Sequence, residues 1–340
     1  MIRIFNLALL VLTVVTSARA ADVQTSDHFD GKKFFNPGLD WNQTPWQTMR
    51  VMFAMAQSES WIEKPPVEVQ AVLPEQPKSD EVTVTFVNHA TFILQSRDHV
   101  ILTDPVWSNR ASPFSWVGPA RYVNPGIKLS SLRKVDVVIL SHNHYDHMDL
   151  DTLVELKNKF DPVFLVPLND KKHLEAVGIT KVHELDWWQE APLKSGPKIT
   201  FTPSQHFSAR GLFDRNHSLW GSYMVELGKK RIYFGGDTGY SPHFKRIRER
   251  LGEPDVALLP IGAYEPYWFM KPIHMNPDDA VLAHLDLGSK KSIGMHFGTF
   301  KLTTEAIDQP EKDLKLCLQA RGVEAKSFVV PVEGNTETFR

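Results

Sequence analysis

Within six residues, His142, His144, Asp146 and His147 put three imidazoles and a carboxylate into one loop. Imidazole nitrogens and carboxylate oxygens without thiolates suit Zn²⁺ and tolerate Fe or Mn, and this spacing lets one loop serve two ions. The loop directly follows the apolar run from Val135 to Leu140, which reads as a buried strand. His142 and His144 alternate like strand residues, and Asp146 and His147 come one turn later. Three further donors fall just past predicted strands: His206, Asp237 between the glycines 235–236 and 239, and His296. Strand ends converging at one sheet edge would gather all seven around the loop. If Asp237 is shared, two sets of four ligands result. One is His142, His144, His206 and Asp237; the other is Asp146, His147, Asp237 and His296. Two Zn²⁺ ions bridged by a carboxylate lower the pKa of a shared water and neutralise charge developing on a carbonyl or phosphoryl oxygen, so hydrolysis by a metal-bridging hydroxide is the expected reaction. There is no Walker loop, no dinucleotide glycine pattern and no Ser-centred elbow to compete with it. The plain alternative for residues 141–147 is a solvated polar loop.

The elements that must position these groups begin at Glu81. Strands are predicted at Val82–Val87, Thr91–Gln95, Val100–Leu102, Val163–Val166, Val182–Leu185 and Ile199–Thr202, with a hairpin of Ser222–Leu227 and Arg231–Phe234. Two more follow at Val256–Leu259 and Ser292–Met295, the latter the last expected. Helices are predicted at Leu150–Lys159, Asn169–Val177 and His243–Leu251, and from Asn276-Pro277-Asp278-Asp279, a helix start with an N-cap, a first-turn proline and two acids. Two β-rich halves, each with helices, suggest an α/β architecture of stacked sheets covered outside by helices. Residues 81–340 then form one hydrolase domain.

Residues 1–20 read as a cleaved export signal: Arg3, an apolar run from Leu7 to Val15, and small residues ending at Ala20. The single cysteine, Cys317, cannot form an internal disulfide. Export without disulfides suits a bacterial periplasm. Residues 21–80 read as an extension and linker packing on the main domain, with Pro65-Pro66 and Pro74 to Pro77 as linker marks. Within it Thr44 and Pro45 start a helix whose Trp46, Met49, Met52 and Phe53 form an apolar face. That face can dock on the domain, on a second subunit or on a membrane surface. A net charge of −2 and the lack of a dense Lys/Arg stripe argue against nucleic acid as a partner.

The pattern His142-x-His144-x-Asp146-His147 with distant His206, Asp237 and His296 resembles the metallo-β-lactamase fold superfamily. Longer stretches resemble the N-acylphosphatidylethanolamine-hydrolysing phospholipase D family. They are Phe35-Asn36-Pro37, Asn88-His89-Ala90-Thr91, Thr103-Asp104-Pro105 through Arg110-Ala111-Ser112-Pro113, and Ser141 through Asp149. Others are Gly235 through Tyr240, Ile261 through Pro266, Trp268 through Lys271, and His296 through Phe300. The resemblance runs from Phe34 to Lys301. It implies an αββα sandwich of two stacked mixed β-sheets flanked by helices, a di-zinc centre, and a homodimer. The implied reaction cleaves a phospholipid of the N-acylphosphatidylethanolamine type to N-acylethanolamine and phosphatidic acid. Ser115-Trp116 departs from the Gln-Tyr pair of the animal enzymes, and an export signal is foreign to them.

His274 precedes the helix that begins at Pro277, where an anion is favoured. By the resemblance it lies near the metals, binding the phosphate or protonating the leaving oxygen, which makes it a catalytic candidate beside Asp146 and Asp237. His89 and Asp104 look like residues that orient metal-binding imidazoles. Phe114, Ser115, Trp116 and Tyr264 are candidates for substrate binding. His28, His99, His173, His183, His217, His243 and His284 are assigned to surface or core. A lactonase or other small-ester hydrolase of the same fold is the alternative activity, because such a metal core serves acyl and phosphoryl centres alike. β-Lactam cleavage is a minor form of that alternative, and a metal-binding carrier without activity is the third.

Overall fold

The computed structural model describes residues 26–39, 41, 44–58, 60–61, 71–78 and 80–340. The expected export signal at 1–20 and the linker mark Pro65-Pro66 lie outside the described residues. The first described helix is α1 (Pro45–Gln57). Its start is closed by a capping box, in which the Thr44 hydroxyl accepts from the Gln47 amide and the Gln47 side chain accepts from the Thr44 amide.

The first sheet is built from β1 (Val82–Asn88), β2 (Thr91–Gln95), β3 (Val100–Thr103), β4 (Val137–Ile139), β5 (Val163–Pro167) and β6 (Val182–Leu185). Between its parallel members run α2 (Leu150–Phe160) and α3 (Lys171–Glu175). The second sheet comprises β7 (Lys198–Thr202), β8 (Ser222–Leu227), β9 (Lys230–Phe234), β10 (Val256–Pro260), β11 (Lys291–Met295) and β12 (Phe328–Val329). Its helices are α4 (His243–Leu251), α5 (Tyr267–Met270), α6 (Pro277–Leu287) and α7 (Gln309–Ala320), and β13 (Thr336–Phe339) ends the chain's regular structure. Strand order is β13-β1-β2-β3-β4-β5-β6 in one sheet and β12-β11-β10-β9-β8-β7 in the other. Each sheet joins an antiparallel half to a parallel half: β1, β2 and β3 pair antiparallel while β3 to β6 run parallel. Likewise β7, β8 and β9 are antiparallel while β9 to β12 are parallel.

Alternation within the apolar strands explains the layering. In β4, Val137 and Ile139 face the core between the sheets, and Val138 faces the outer core under α2. In β10, Val256 and Leu258 point inward, and Ala257 and Leu259 point out toward the helices. Strands buried on both faces read as unbroken apolar runs, which is how they stood out in the sequence. Phe86, Phe92, Phe201, Trp220, Tyr223 and Phe234 fill the space between the sheets. Leu153 and Leu156 of α2 cover the first sheet, and Phe244, Ile247, Val281, Leu287, Leu314 and Leu318 cover the second. The result is the αββα sandwich the sequence implied, built from two mixed sheets.

Some elements differ from expectation. The helix expected at 169–177 is confined to Lys171–Glu175, because Asn169 takes a left-handed backbone (φ 69°) and spends its side chain on the His217 carbonyl. Ser292–Met295 is not the last strand; β12 and β13 follow it, along with α7. The polar β13 carries no strand signal of its own and is ordered by antiparallel pairing with β1, Val82 opposite Phe339. The N-terminal extension is anchored at several points, two of them far apart along it. Phe34 is buried in the core between the sheets, and the Trp61 indole donates to the Glu305 carbonyl at 2.9 Å.

The turn that leads into β13 packs on Gly126 with no room to spare. A Cβ at Gly126 would stand 2.0 Å from the Gly334 amide nitrogen, and both flanking amides are bonded to β1 at the Val87 and Phe86 carbonyls. Gly126→Ala is expected to lower stability by about 1–3 kcal/mol through this overpacking, read as a shift in the denaturant midpoint at constant slope. An unchanged midpoint would contradict the close approach.

Candidate metal centre

The seven expected ligands meet at one edge of the sandwich. β4 delivers the chain at Ile139, after which residues 142–144 leave strand geometry and 145–147 close a turn, with the His147 and Met148 amides donating to the His144 carbonyl. His142 and His144 lie beyond the end of β4 and before the turn, their rings edge-on with centroids 4.4 Å apart. β7, β9 and β11 end just before His206, Asp237 and His296. Gly236 has to be glycine where the chain bends into Asp237: its φ is 55°, and a Cβ there would meet the Ser141 side chain at 2.6 Å. His89, Asp104 and His296 also hold left-handed backbone (φ 46°, 32° and 60°), strain of a kind that gathers at functional sites.

Asp237 sits at the centre. Its Oδ2 lies 3.1 Å from His296 Nε2, 3.3 Å from His147 Nε2, 3.7 Å from His206 Nε2 and 3.9 Å from His142 Nε2. Asp146 Oδ2 stands 3.3 Å from His296 Nε2 and 3.4 Å from His147 Nε2. His144 Nδ1 faces His142 Nε2 at 2.8 Å and His206 Nε2 at 3.3 Å. Two four-residue groups capable of holding a cation result, His142/His144/His206/Asp237 and His89/Asp146/His147/His296, each with donor atoms within 4.8 Å of one another. Asp237 borders both.

The far sides of the rings are tied down in a way that points a lone pair inward. His147 Nδ1 donates to Asp104 Oδ2 at 2.6 Å, and His206 Nδ1 donates to the Ile273 carbonyl at 2.9 Å. Ser141 Oγ donates to Asp104 Oδ2 at 2.5 Å and accepts from His142 Nδ1 at 2.9 Å. Each arrangement leaves Nε2 facing Asp237, the tautomer a cation needs. His147 Nε2, His296 Nε2 and Asp237 Oδ1 are buried without a hydrogen-bond partner. Buried polar atoms normally have partners, so a cluster of orphans aimed at one point fits a bound cation.

Electrostatics agree. Burial pushes His142 and His206 well below the ordinary imidazole range, and brings His144 to about 4. Burial would raise Asp237 and Asp146, but the facing imidazoles, His147 foremost, hold both carboxylates well below their usual range. Burial also opposes charge on His147 and His296, yet the carboxylates, Asp237 foremost, lift both, His296 to about 9. Neutral imidazoles and ionised carboxylates form the donor set of a divalent site, and the two raised histidines show that the centre calls for positive charge.

Other expected residues fall in varied places. Asp104 orients His147, as expected. His89 bonds a carboxylate, with Nε2 donating to Asp146 Oδ2 at 3.0 Å, so it supports Asp146 and not an imidazole. His274 is buried with Nδ1 lacking a partner and 4.0 Å from Asp237 Oδ2, at the rim of the centre. Tyr264 does not line the site: it is buried and its hydroxyl is committed to Asp313 Oδ2 of α7 at 2.6 Å. Phe114, Ser115 and Trp116 lie on an exposed loop braced by Arg110, whose guanidinium donates to the Ser115 and Gly118 carbonyls. Phe114 and Ser115 of that loop line a cavity of about 620 Å³ with Tyr145 and Met148, the residues that flank Asp146 and His147, and Trp116 lies outside it. His28, His243 and His284 are buried without joining the cluster. Sequence reading missed Ser141 and Arg210. The Arg210 Nη1 donates to the carbonyls of Asn143 (2.7 Å) and Met148 (2.9 Å), clamping both ends of the histidine loop, and its guanidinium lies over the Tyr145 ring. An isolated arginine far from the loop in sequence carries no signal of such a role.

Asp237→Asn removes the one charge bordering both groups. It is expected to reduce bound metal by at least one equivalent per chain in elemental analysis, with the circular dichroism spectrum kept. Asp104→Asn, which only loosens His147, should weaken metal binding by about 10–100-fold in calorimetric titration. Unaltered metal content in both variants would exclude this centre.

Comparison with known proteins follows the same line. A family model described as a beta-lactamase superfamily domain matches residues 99–297. N-acyl-phosphatidylethanolamine-hydrolyzing phospholipase D 1 of Caenorhabditis elegans is 42% identical over 248 residues, covering 70% of this chain and 70% of that protein. The mitochondrial N-acyl-phosphatidylethanolamine-hydrolyzing phospholipase D of Saccharomyces cerevisiae is 36% identical over 245 residues, covering 70% of this chain and 52% of that protein. Among solved structures, a metallo hydrolase from Ignicoccus hospitalis superposes with a TM-score of 0.58 at 23% identity, covering 76% of this chain and 99% of that one. An isothiocyanate hydrolase from Delia radicum gut bacteria gives 0.59 at 22%, with the same coverage. The structural likenesses speak for the fold alone. Sandwich, histidine–aspartate centre and sequence relatives agree, and the chain belongs to the metallo-β-lactamase superfamily as a metallo-hydrolase of the group that includes the N-acylphosphatidylethanolamine-hydrolysing phospholipases D.

Proposed function

We propose that the protein is a zinc-dependent phosphodiester hydrolase of the phospholipase D type. It cleaves phospholipids resembling N-acylphosphatidylethanolamine to N-acylethanolamine and phosphatidic acid. The observation that carries this reading is the 42% identity to the C. elegans enzyme over 248 residues, beside a family-model match at residues 99–297 that spans the seven expected ligands. Two divalent ions, when bound, would supply Lewis-acid polarisation of the phosphoryl oxygens and a water ionised near neutral pH. His142, His144, His206 and Asp237 would hold one, and Asp146, His147, His296 and Asp237 the other. His89 is placed to fix Asp146, and Asp104 to fix His147.

Substrate handling falls to residues at the rim. Asp146 and His274 retain slight exposure, and His144 and Tyr145 more, so the centre opens on their side. His274 lies just before α6, whose first amides are capped by Asn276. Burial pushes the His274 imidazole down to about 4, which suits it to give an N–H to a phosphate oxygen and not to act as a standing cation. Exposed Phe114, Trp116 and Val117, together with Trp46, Met49, Met52 and Phe53 of α1, offer apolar surface for acyl chains or a membrane face. Among the described residues no helix is long and apolar enough to cross a membrane. An exported, periplasmic homodimer acting at a lipid surface is part of the same proposal. A lactonase or other small-ester hydrolase is the second reading, since Ser115-Trp116 changes the loop beside the cavity and such a centre activates water for acyl carbon as readily.

The deciding assay presents N-acylphosphatidylethanolamine vesicles to the zinc-loaded protein and identifies products by mass spectrometry. N-Acylethanolamine with phosphatidic acid is expected; turnover of a lactone or nitrophenyl ester without lipid cleavage would replace the proposal with the second reading. His274→Gln should lower kcat/KM on the phosphodiester by about 10²-fold with metal content unchanged. Wild-type kcat/KM in that variant would remove His274 from the reaction.

A further inference from the structure

His206 belongs to a stretch without regular structure. β7 ends at Thr202, and the chain from Pro203 to Gly221 forms neither helix nor strand before β8 begins. A metal ligand on such a segment depends on whatever ties its backbone down. At Gln205 the carbonyl accepts from the Gly239 amide at 2.9 Å and the side chain donates to the Pro272 carbonyl at 2.8 Å, and three more ties bear on the ligand. The Gln205 amide donates to Thr238 Oγ1 at 2.9 Å, just beyond Asp237. The His206 ring donates to the Ile273 carbonyl. The His206 carbonyl accepts from Asn36 Nδ2 at 2.8 Å, and Asn36 comes from the N-terminal extension.

The orientation of the Asn36 amide is settled by its other partner. Asn36 Oδ1 accepts from the indole Nε1 of buried Trp220 at 3.0 Å. An indole N–H can only donate, so the amide oxygen must face it and the NH₂ group must face His206. The segment carrying Asn36 is itself fixed. Phe34 is in the core between the sheets, its amide bonded to the Asn216 carbonyl, and the Phe35 amide donates to the His28 carbonyl. The His28 ring stacks on Trp187 with centroids 3.8 Å apart. Further along, Trp41 packs against Phe207 at 5.9 Å, the Arg215 guanidinium lies over both rings, and Phe207 sits edge-on to His144 at 4.5 Å. The extension thus reaches the same ligand set twice, through the His206 carbonyl and through the ring beside His144.

We propose that Asn36 is a positioning residue for the set His142/His144/His206/Asp237, which makes residues 26–41 part of the metal-binding unit. The proposal rests on the metal-centre reading given above. Its consequence is selective. Asp146, His147 and His296 take no support from the Asn36 segment among the contacts described, so loss of the Asn36 amide should disturb one metal set and spare the other.

The test titrates metal-free full-length protein with Co²⁺, following heat and visible absorption, for wild type, Asn36→Leu, Asn36→Asp and Leu318→Ala. Asn36→Asp keeps the acceptor for Trp220 but sets an oxygen against the His206 carbonyl. Leu318→Ala opens a cavity in the outer core of the second sheet and lowers stability without touching the N-terminal extension. In both Asn36 variants one equivalent of Co²⁺ should bind about 10–100-fold more weakly with a changed absorption band, while the other equivalent binds as in wild type. Leu318→Ala should lower the melting temperature and leave both equivalents in place. Wild-type binding of both equivalents in the Asn36 variants would overturn the proposal, as would equal weakening of both, or the same pattern in Leu318→Ala. Failure of the wild-type protein to bind Co²⁺ at all would instead overturn the metal-centre reading, and the parallel wild-type titration tells the two failures apart.

Discussion

Asp237 is a buried carboxylate with imidazole nitrogens of His296, His147, His206 and His142 between 3.1 and 3.9 Å from one of its oxygens. An ionised group in that position is tolerated only if positive charge stands beside it. The carboxylates lift His147 and His296 toward the charged form against the burial that opposes it. A divalent cation held by these residues would supply that charge more strongly. Much of the surrounding structure can be understood as what is required to keep these groups in place while denying them water. Asp104 and Ser141 fix two rings from behind, Arg210 clamps the loop between them, and His89 holds Asp146.

Such a concentration of charge needs rigid surroundings, and the sandwich supplies them. The ligands sit just past the ends of β4, β7, β9 and β11, drawn from both sheets, so the packing of sheet on sheet sets their mutual distances. Phe201, Trp220, Tyr223 and Phe234 lie in the core directly behind those ends. Tyr223 shows the linkage at one atom: its hydroxyl donates to the Leu140 carbonyl at 2.9 Å, tying β8 of one sheet to the residue before Ser141 in the other. Left-handed backbone at His89, Asp104 and His296 costs roughly 1–3 kcal/mol apiece, and a core of this size can bear it.

The rim of the centre is less constrained than its floor. His274 is aimed inward with an unpaired nitrogen, whereas the Phe114–Trp116 loop stands in solvent, held through Arg110. A rigid floor with a variable rim is how one metal centre serves several substrates.

Legibility in the sequence followed how local each signal was. His142, His144, Asp146 and His147 stand out because loop ligands cluster in sequence, and His206, Asp237 and His296 because each follows an apolar run. The doubly buried strands and the capped start of α6 were equally readable, since burial and capping leave their marks on neighbouring residues. Tyr264 was misplaced because nothing adjacent to it reveals that its hydroxyl meets Asp313 from α7. β13 and Arg210 carry no local signal, and Asn36 none beyond the resemblance of Phe35-Asn36-Pro37 to the family: each acts on a partner far along the chain. The sequence by itself determined the donor chemistry, since side-chain type decides what can bind a cation and strand patterning decides which residues end a strand. Only the tertiary structure decided which carboxylate stands between the two groups, which imidazole nitrogen faces it and what ties each loop down, because those are distances between segments brought together by packing.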